Sequence, residues 1–310
     1  MNRPLQQVKI NKSQARQALL RSGYLLESRI ENILSEKGYN VDANAVYTDP
    51  LTKKSREIDL YAMGAKRVWK EEHFVFPCFL IECINNPQPI TFITKEAQIP
   101  FSFHNDLKIS GLPVKIIMPD EEESWEMLSD FLHMDEYHHY CKDRIATQFC
   151  SFNQKKNSNI WMASHDDFHF DCLKKLCNAV DYFSETHFKG WFFEEGVDED
   201  INLQIYYPLI IVQGDLFDAR PSRKSVRLYN KNHIQYRQNA IVDGEEEVYQ
   251  IDIITESFFP RFIEMVEDEI QKIVRRMQRR KNQILQSIKV ITDNAIKAKN
   301  EKDVLEAMKF

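Results

Sequence analysis

Arg56-Glu57-Ile58-Asp59-Leu60 and Phe79-Leu80-Ile81-Glu82-Cys83-Ile84 are the two stretches that decide how this chain is read. Each is a strand-like run that carries an acid among apolar neighbours. Side chains alternate along a strand, so Asp59 shares a face with Glu57 and Tyr61, and Glu82 shares one with Ile84. If the two strands are neighbours, Asp59 and Glu82 approach closely enough to share a divalent cation. Hard carboxylate oxygens suit Mg²⁺, which takes few protein ligands and keeps several waters. Singly, an acid in a strand is often just the solvent side of an amphipathic sheet. The ordered pair carries the functional reading.

Outward from this pair, Ser13 to Lys37 reads as helical, with Leu19, Leu20, Tyr24, Leu26, Ile30, Ile33 and Leu34 at three- and four-residue spacing, Gly23 as a break and Gly38 as the stop. Glu27 lies in this helix. Tyr39 to Tyr47 reads as a strand, and the polar turn Thr48 to Ser55 returns the chain into the strand from Arg56 to Met63. Cys78 to Ile84 is a third strand, Ile90 to Thr94 a short one, and Val114 to Met118 another. Pro100 interrupts the connector from Lys95 to Ser110.

Helix, hairpin, acid-bearing strand and further strand, with Glu27, Asp59 and Glu82 in that order, resemble the PD-(D/E)xK nuclease-like superfamily. The resemblance covers about the first 120 residues. It implies a restriction-endonuclease-like mixed sheet flanked by helices. It also implies Mg²⁺ or Mn²⁺ held by Asp59, Glu82 and the backbone carbonyl of Cys83, with Glu27 orienting a metal-bound water. The activity implied is phosphodiester hydrolysis of DNA, RNA being an alternative substrate, in a setting of restriction and defence. One signature position departs from the pattern. The lysine expected two residues after the second acid is Ile84, which has neither charge nor donor. Losing one preorganised electrostatic stabiliser costs about 10² to 10³ in rate. Hydrolysis is therefore impaired or absent, or else completed by Lys95, supplied from the following element.

Beyond Asp120, helices are expected over Glu121 to Met134 and Asp167 to Phe188, the second with a stripe of Phe168, Cys172, Leu176, Val180 and Phe183. Strands are expected at Tyr206 to Val212, Val226 to Tyr229, Ile234 to Ile241 and Val248 to Thr255, with Asp243-Gly244 as a turn. From Pro260 onward Ile263, Val266, Ile270, Ile273, Met277, Ile284, Ile288 and Ile291 predict a long helix that packs on the body or pairs with a partner or second copy. The expected organisation is α/β throughout: a nuclease-like core over 1–120, a helical insert and second mixed α/β region over 121–259, and a helical tail over 260–310.

The chain has 310 residues, is 43% hydrophobic and carries a formal net charge of -6, enough for a full core and unlike a wholly basic coat protein. Basic residues nonetheless cluster in three places: Arg3 to Arg21, Arg220 to Arg237, and Lys272 to Lys281. Each is either a phosphate footprint or a solvated face. Six scattered cysteines, no apolar leader and no spanning run point to a soluble protein of the reducing cytoplasm with no membrane partner. His138, His139 and Cys141, and His165, His169, Asp171, Cys172 and Cys177, lack the paired spacing of structural zinc and read as core or surface residues. Asp252 reads as an ordinary sheet residue. The competing reading is a non-catalytic nucleic-acid-binding or scaffold protein on the same fold.

Overall fold

The strand around Glu82 is the centre of the molecule. In the computed structural model, which describes residues 9–21, 24–49, 52–69, 72–86, 88–118, 124–156, 158–164, 167–189, 201–242 and 245–297, it starts earlier than its sequence pattern suggests and is buried on both faces. The elements in chain order are α1 (Lys12–Arg21), α2 (Tyr24–Glu36), β1 (Asn40–Thr48), β2 (Ser55–Met63), β3 (Lys66–Arg67), β4 (Phe74–Ile84), β5 (Ile90–Glu96), β6 (Lys108–Leu112), β7 (Lys115–Ile117) and β8 (Trp125–Met127). They continue with α3 (Leu128–Phe131), β9 (Arg144–Gln154), β10 (Trp161–Ser164), α4 (Asp167–Lys189), β11 (Asn202–Val212), β12 (Leu216–Pro221), β13 (Val226–Lys231), β14 (His233–Val242), β15 (Glu245–Thr255), α5 (Phe259–Arg279) and α6 (Lys281–Lys297).

Thirteen strands form one mixed sheet, ordered β1-β2-β4-β11-β15-β14-β9-β5-β12-β13, with β3, β6 and β10 attached at its margins. β4 runs antiparallel to β2 and parallel to β11, and β11 is parallel to β15. One face packs under α2, α5 and α6 through Leu26, Ile30, Phe79, Ile81, Tyr207, Phe262, Ile270 and Ile288. The other packs under α4 through Leu80, Ile84, Tyr206, Ile210, Cys172, Leu176 and Val180. β4 and β11 therefore need apolar residues at nearly every position, as buried parallel strands do.

Several expectations are met and several need correction. Gly38 (φ +86) ends α2, donating to Ser35 O at 3.0 Å while Tyr39 N reaches Leu34 O at 3.1 Å, the left-handed stop that glycine adopts without a Cβ clash. The break expected at Gly23 and the turn expected at Asp243-Gly244 lie outside the described residues. α1 does not bury its leucines: Leu19 and Leu20 are exposed. Val114 to Met118 yields β7, but it pairs with β8 in a separate two-stranded sheet. The place beside β4 goes to β11, which is apolar from Ile205 to Val212 and makes an eleven-pair ladder. The helix expected over Glu121 to Met134 is mostly absent among the described residues. Trp125–Met127 is drawn into the β7 pairing, α3 lasts one turn, and His133 (φ +47) stops it. The connector after Lys95 holds a 3₁₀ turn, Pro100–Asp106, rather than an α-helix.

The boundaries expected at 120 and 259 run through shared structure, since β4 lies between β2 and β11 and one core spans both segments. The apolar stripe of the tail is spent on this core. Ile263, Val266, Ile270, Ile273, Met277, Ile284, Ile288 and Ile291 are all buried, and the helix breaks at Arg280 (φ −111, ψ 23) into α5 and α6. Among the described residues no helix is long and apolar enough to cross a membrane. Truncation inside this stripe should be costly: Ile273→Ala is expected to lower unfolding free energy by about 2 to 5 kcal/mol, read from the urea midpoint. A change under about 0.5 kcal/mol would mean that the tail is not part of the core.

Candidate active site

β2 and β4 pair from Met63↔Cys78 to Leu60↔Ile81 and then part. At the parting point each strand's acid takes a backbone group of the other strand. Cys83 N donates to Asp59 Oδ2 at 2.7 Å, and the Asp59 backbone in turn hydrogen-bonds the Glu82 carboxylate. Opposite Asp59 on β1, Asn44 adopts a left-handed conformation (φ +56) between the pairs Ala43↔Leu60 and Ala45↔Ile58, a strain that asparagine tolerates better than most residues. The two acids that sequence alone placed on separate strands are thus locked together.

Glu82 is 3% exposed, on the face covered by α4. The charge opposing it comes from that helix. Lys175 Nζ lies 2.8 Å from Glu82 Oε1, and Cys172, one turn earlier, also hydrogen-bonds Glu82. The ion pair is not well directed, because Oε1 receives no properly aligned hydrogen bond. Tyr47 Oη donates to Lys175 O at 3.2 Å, pinning α4 over the β1–β2 hairpin. Glu27, half-buried in the first turn of α2, completes the group: the Asp59 and Lys175 charges both act on it. Two residues on, Arg29 holds Glu256 at 2.5 and 3.0 Å, tying α2 to the end of β15.

These neighbours shift one another's protonation. Burial pushes the Glu82 carboxyl up to about 7, with Asp59 adding to the rise and Lys175 opposing it. Burial also raises Asp59, against the Cys83 N–H and Lys175, and raises Glu27 with help from Asp59. Burial works against the Lys175 charge, but Glu82 overcomes it and holds the ammonium above its ordinary value. Asp59, Glu27, Glu82 and Glu256 all act on the buried Cys83, whereas Lys175 and Arg29 are the cations in contact with these acids. When all are ionised, four carboxylates face two cations and two negative charges are uncompensated.

Two sequence expectations change here. Lys95 does not reach the acids. It is exposed near the end of β5, paired with Ile145 of β9, and in the sheet order β5 is separated from β4 by β11, β15, β14 and β9. Ile84 is core: it is 2% exposed and packs among apolar residues beneath α4. The lysine near Glu82 is Lys175, which sequence reading missed. Its signal was its place three residues after Cys172, on the edge of the buried stripe of α4.

A second buried cluster lies on the other face of the sheet. His139 Nδ1 is 2.8 Å from Glu269 Oε2, and its Nε2 is 2.9 Å from Asp252 Oδ2. Carboxylates only accept, so His139 is an imidazolium, held up to about 9 by Glu269 and Asp252 against burial. Asp252 is fully buried and bonds two histidines, so it is no ordinary sheet residue. His138, His139 and Glu269 are the only trio of potential metal-ligand atoms within 4.8 Å of one another among the described residues; Glu27, Asp59 and Glu82 are not drawn together so tightly. Cys172 and Cys177 are buried against the sheet, His165 is outside the described residues, and the side chain of His169 is not described.

Of the basic segments, residues 1–8 are outside the described set, and Arg276 and Arg280 are tied to carbonyls of Leu132 and Phe131. The β12–β13 hairpin keeps Arg223, Lys224 and Arg227 exposed. Comparison with family models, curated proteins and solved structures returns no match.

The raised Glu82 carboxyl sets a pH test. A carboxyl whose value is higher in the folded state favours folding while protonated, and that contribution is lost as pH rises from 4.5 to about 7. In the absence of divalent cations, Glu82→Gln should therefore be more stable than wild type at pH 8, by about 3 kcal/mol at most, and no more stable at pH 4. Urea unfolding at both pH values checks this, and equal midpoints at pH 8 would contradict it.

Proposed function

We propose that this chain is a PD-(D/E)xK-type, metal-dependent phosphodiesterase acting on DNA, with Lys175 on α4 supplying the ammonium absent at Ile84. The observation that carries the reading is the convergence of Asp59, Glu82 and Lys175, the acids braced across two strands and the lysine 2.8 Å from Glu82. The residues present fit a hard divalent cation: the cluster has excess negative charge, and Glu82 Oε1 has no aligned donor. Asp59, Glu82 and the Cys83 carbonyl would hold Mg²⁺ or Mn²⁺. When bound, such an ion lowers the pKa of water and offsets charge on phosphate.

The chain's own residues have distinct tasks. Burial raises both carboxyls, Glu82 to about 7, which makes the protonation of Glu82 responsive to what binds beside it. Lys175 is a point charge on a flexible stem, suited to a phosphoryl oxygen or a nucleophilic water. Glu27, half-buried and raised toward neutrality, is placed to accept or orient a proton. The exposed basic hairpin supplies sequence-independent attraction for a phosphate backbone.

Purified protein with Mg²⁺ or Mn²⁺ is expected to cleave plasmid or linear DNA. Lys175→Met should lower the rate by about 10² to 10³, and Asp59→Asn should abolish cleavage. Lys95→Ala should stay within about twofold of wild type, since it removes no group of the site. The hairpin also favours a second reading, a non-catalytic nucleic-acid-binding or scaffold protein. DNA binding without cleavage, unaffected by Asp59→Asn but lost on charge reversal of Arg223, Lys224 and Arg227, would select it.

A further inference from the structure

Away from the acidic cluster, Thr94 of β5, Arg144 of β9, Arg220 of β12, and His233 and Gln235 of β14 surround a cavity of about 410 Å³, with Lys142 and Lys231 at its edge. Its charge is cationic. Lys142, Arg144, Arg220 and Lys231 face Asp143 and Asp218, and Asp218 is already occupied by Thr94 Oγ1 at 2.5 Å and Arg220 Nε at 2.8 Å. Arg144 is held in place by Thr94, through Nε to Oγ1 at 3.1 Å and Nη2 to O at 3.0 Å. The Lys231 charge acts on Lys142, two ammoniums kept near one another around an open space.

The wall behind these cations is fully ordered by hydrogen bonds. Lys142 Nζ donates to His233 Nδ1 at 3.1 Å, so His233 is neutral and donates Nε2–H to Asp252 Oδ1 at 2.6 Å. Asp252 also receives His139, which continues to Glu269. Lys142 and His139 balance Asp252 and Glu269, so the buried chain of groups needs no further ion; of the other lining cations Arg220 is paired with Asp218, Arg144 lies 3.6 Å from Glu96, and Lys231 is exposed at the rim.

Gln235 is the exception to this saturation. It is 3% exposed, it lines the cavity, and both its amide nitrogen and its amide oxygen lack a hydrogen-bond partner. A buried amide with neither donor nor acceptor used is costly, and a ligand that presents an acceptor beside a donor would remove the cost. Purine edges have that pattern, and guanidinium and ammonium groups are the usual partners of phosphate. The cavity volume lies in the range of small-molecule sites.

We propose that this cavity binds a phosphate monoester joined to a nucleobase, with Arg144, Arg220 and Lys231 on the phosphate and the Gln235 amide on the base. The same chemistry occurs in a free nucleoside monophosphate and at the phosphorylated 5′ end of a nucleic acid. The basic β12–β13 hairpin contributes Arg220 and Lys231 directly and gives either ligand a cationic approach.

Calorimetry of the full chain in EDTA isolates this cavity from the acidic cluster. Adenosine 5′-monophosphate should bind, and adenosine without phosphate should bind at least about tenfold more weakly. Lys231→Glu, an exposed position, should weaken the monophosphate by about tenfold or more with an unchanged unfolding midpoint. Gln235→Met should remove the preference for adenosine monophosphate over inorganic phosphate while retaining phosphate binding. A 5′-phosphorylated oligonucleotide bound more tightly than both the free nucleotide and its 5′-hydroxyl counterpart would identify a nucleic-acid end as the ligand, and the reverse order a free nucleotide. The proposal is overturned if neither the nucleotide nor the phosphorylated oligonucleotide binds at about 1 mM, or if Lys231→Glu leaves the nucleotide's affinity unchanged. Cleavage of DNA does not depend on this outcome, nor this outcome on cleavage.

Discussion

The exchange of hydrogen bonds between β2 and β4 is the constraint on which the rest depends. A regular ladder continued past Leu60↔Ile81 would have set Asp59 directly opposite Glu82, two like charges facing each other across the strands. Instead the strands part, and each acid accepts from the other strand's backbone. The backbone groups freed by the parting are satisfied by carboxylates, which accept stronger hydrogen bonds than neutral oxygens do. One carboxyl, Glu82, is thereby fixed almost out of contact with water, with the half-buried Asp59 beside it.

Such an arrangement costs folding free energy, because buried carboxylates lose hydration that one lysine does not fully replace. Glu82 shows the imbalance by holding its proton until about neutral pH. Lys175 reduces the cost, and its carbonyl is itself anchored by Tyr47, so the position of α4 over the sheet and the position of the ammonium are set together. Sites poised in this way are common where binding or catalysis uses the unsatisfied charge.

The opposite face handles its buried charges differently. From Lys142 through His233, Asp252 and His139 to Glu269, donors and acceptors alternate and the formal charges cancel. This chain of groups joins the loop before β9 to β14, β15 and α5, so it acts as a polar rivet through an otherwise apolar layer. Its residues are scattered along the sequence, and removing any one would leave a buried partner without its hydrogen bond.

Local pattern determined a good deal of this. The stop at Gly38, the hairpin of β1 and β2, the acids of β2 and β4, the helix α4 and the apolar stripe of α5 and α6 all follow from spacing and turn chemistry that operate over a few residues. The tertiary structure alone decided which strand lies beside β4. β11, more than a hundred residues away, takes that place rather than the nearer Val114–Met118, because it is long enough to pair along the whole of β4 and is apolar from Ile205 to Val212. It also decided that the ammonium beside Glu82 comes from Lys175, that Ile84 is core, and that Asp252 and His139 form an ion pair. Charge pairs of this kind are set by distances across the folded core, and no periodicity along the chain encodes them.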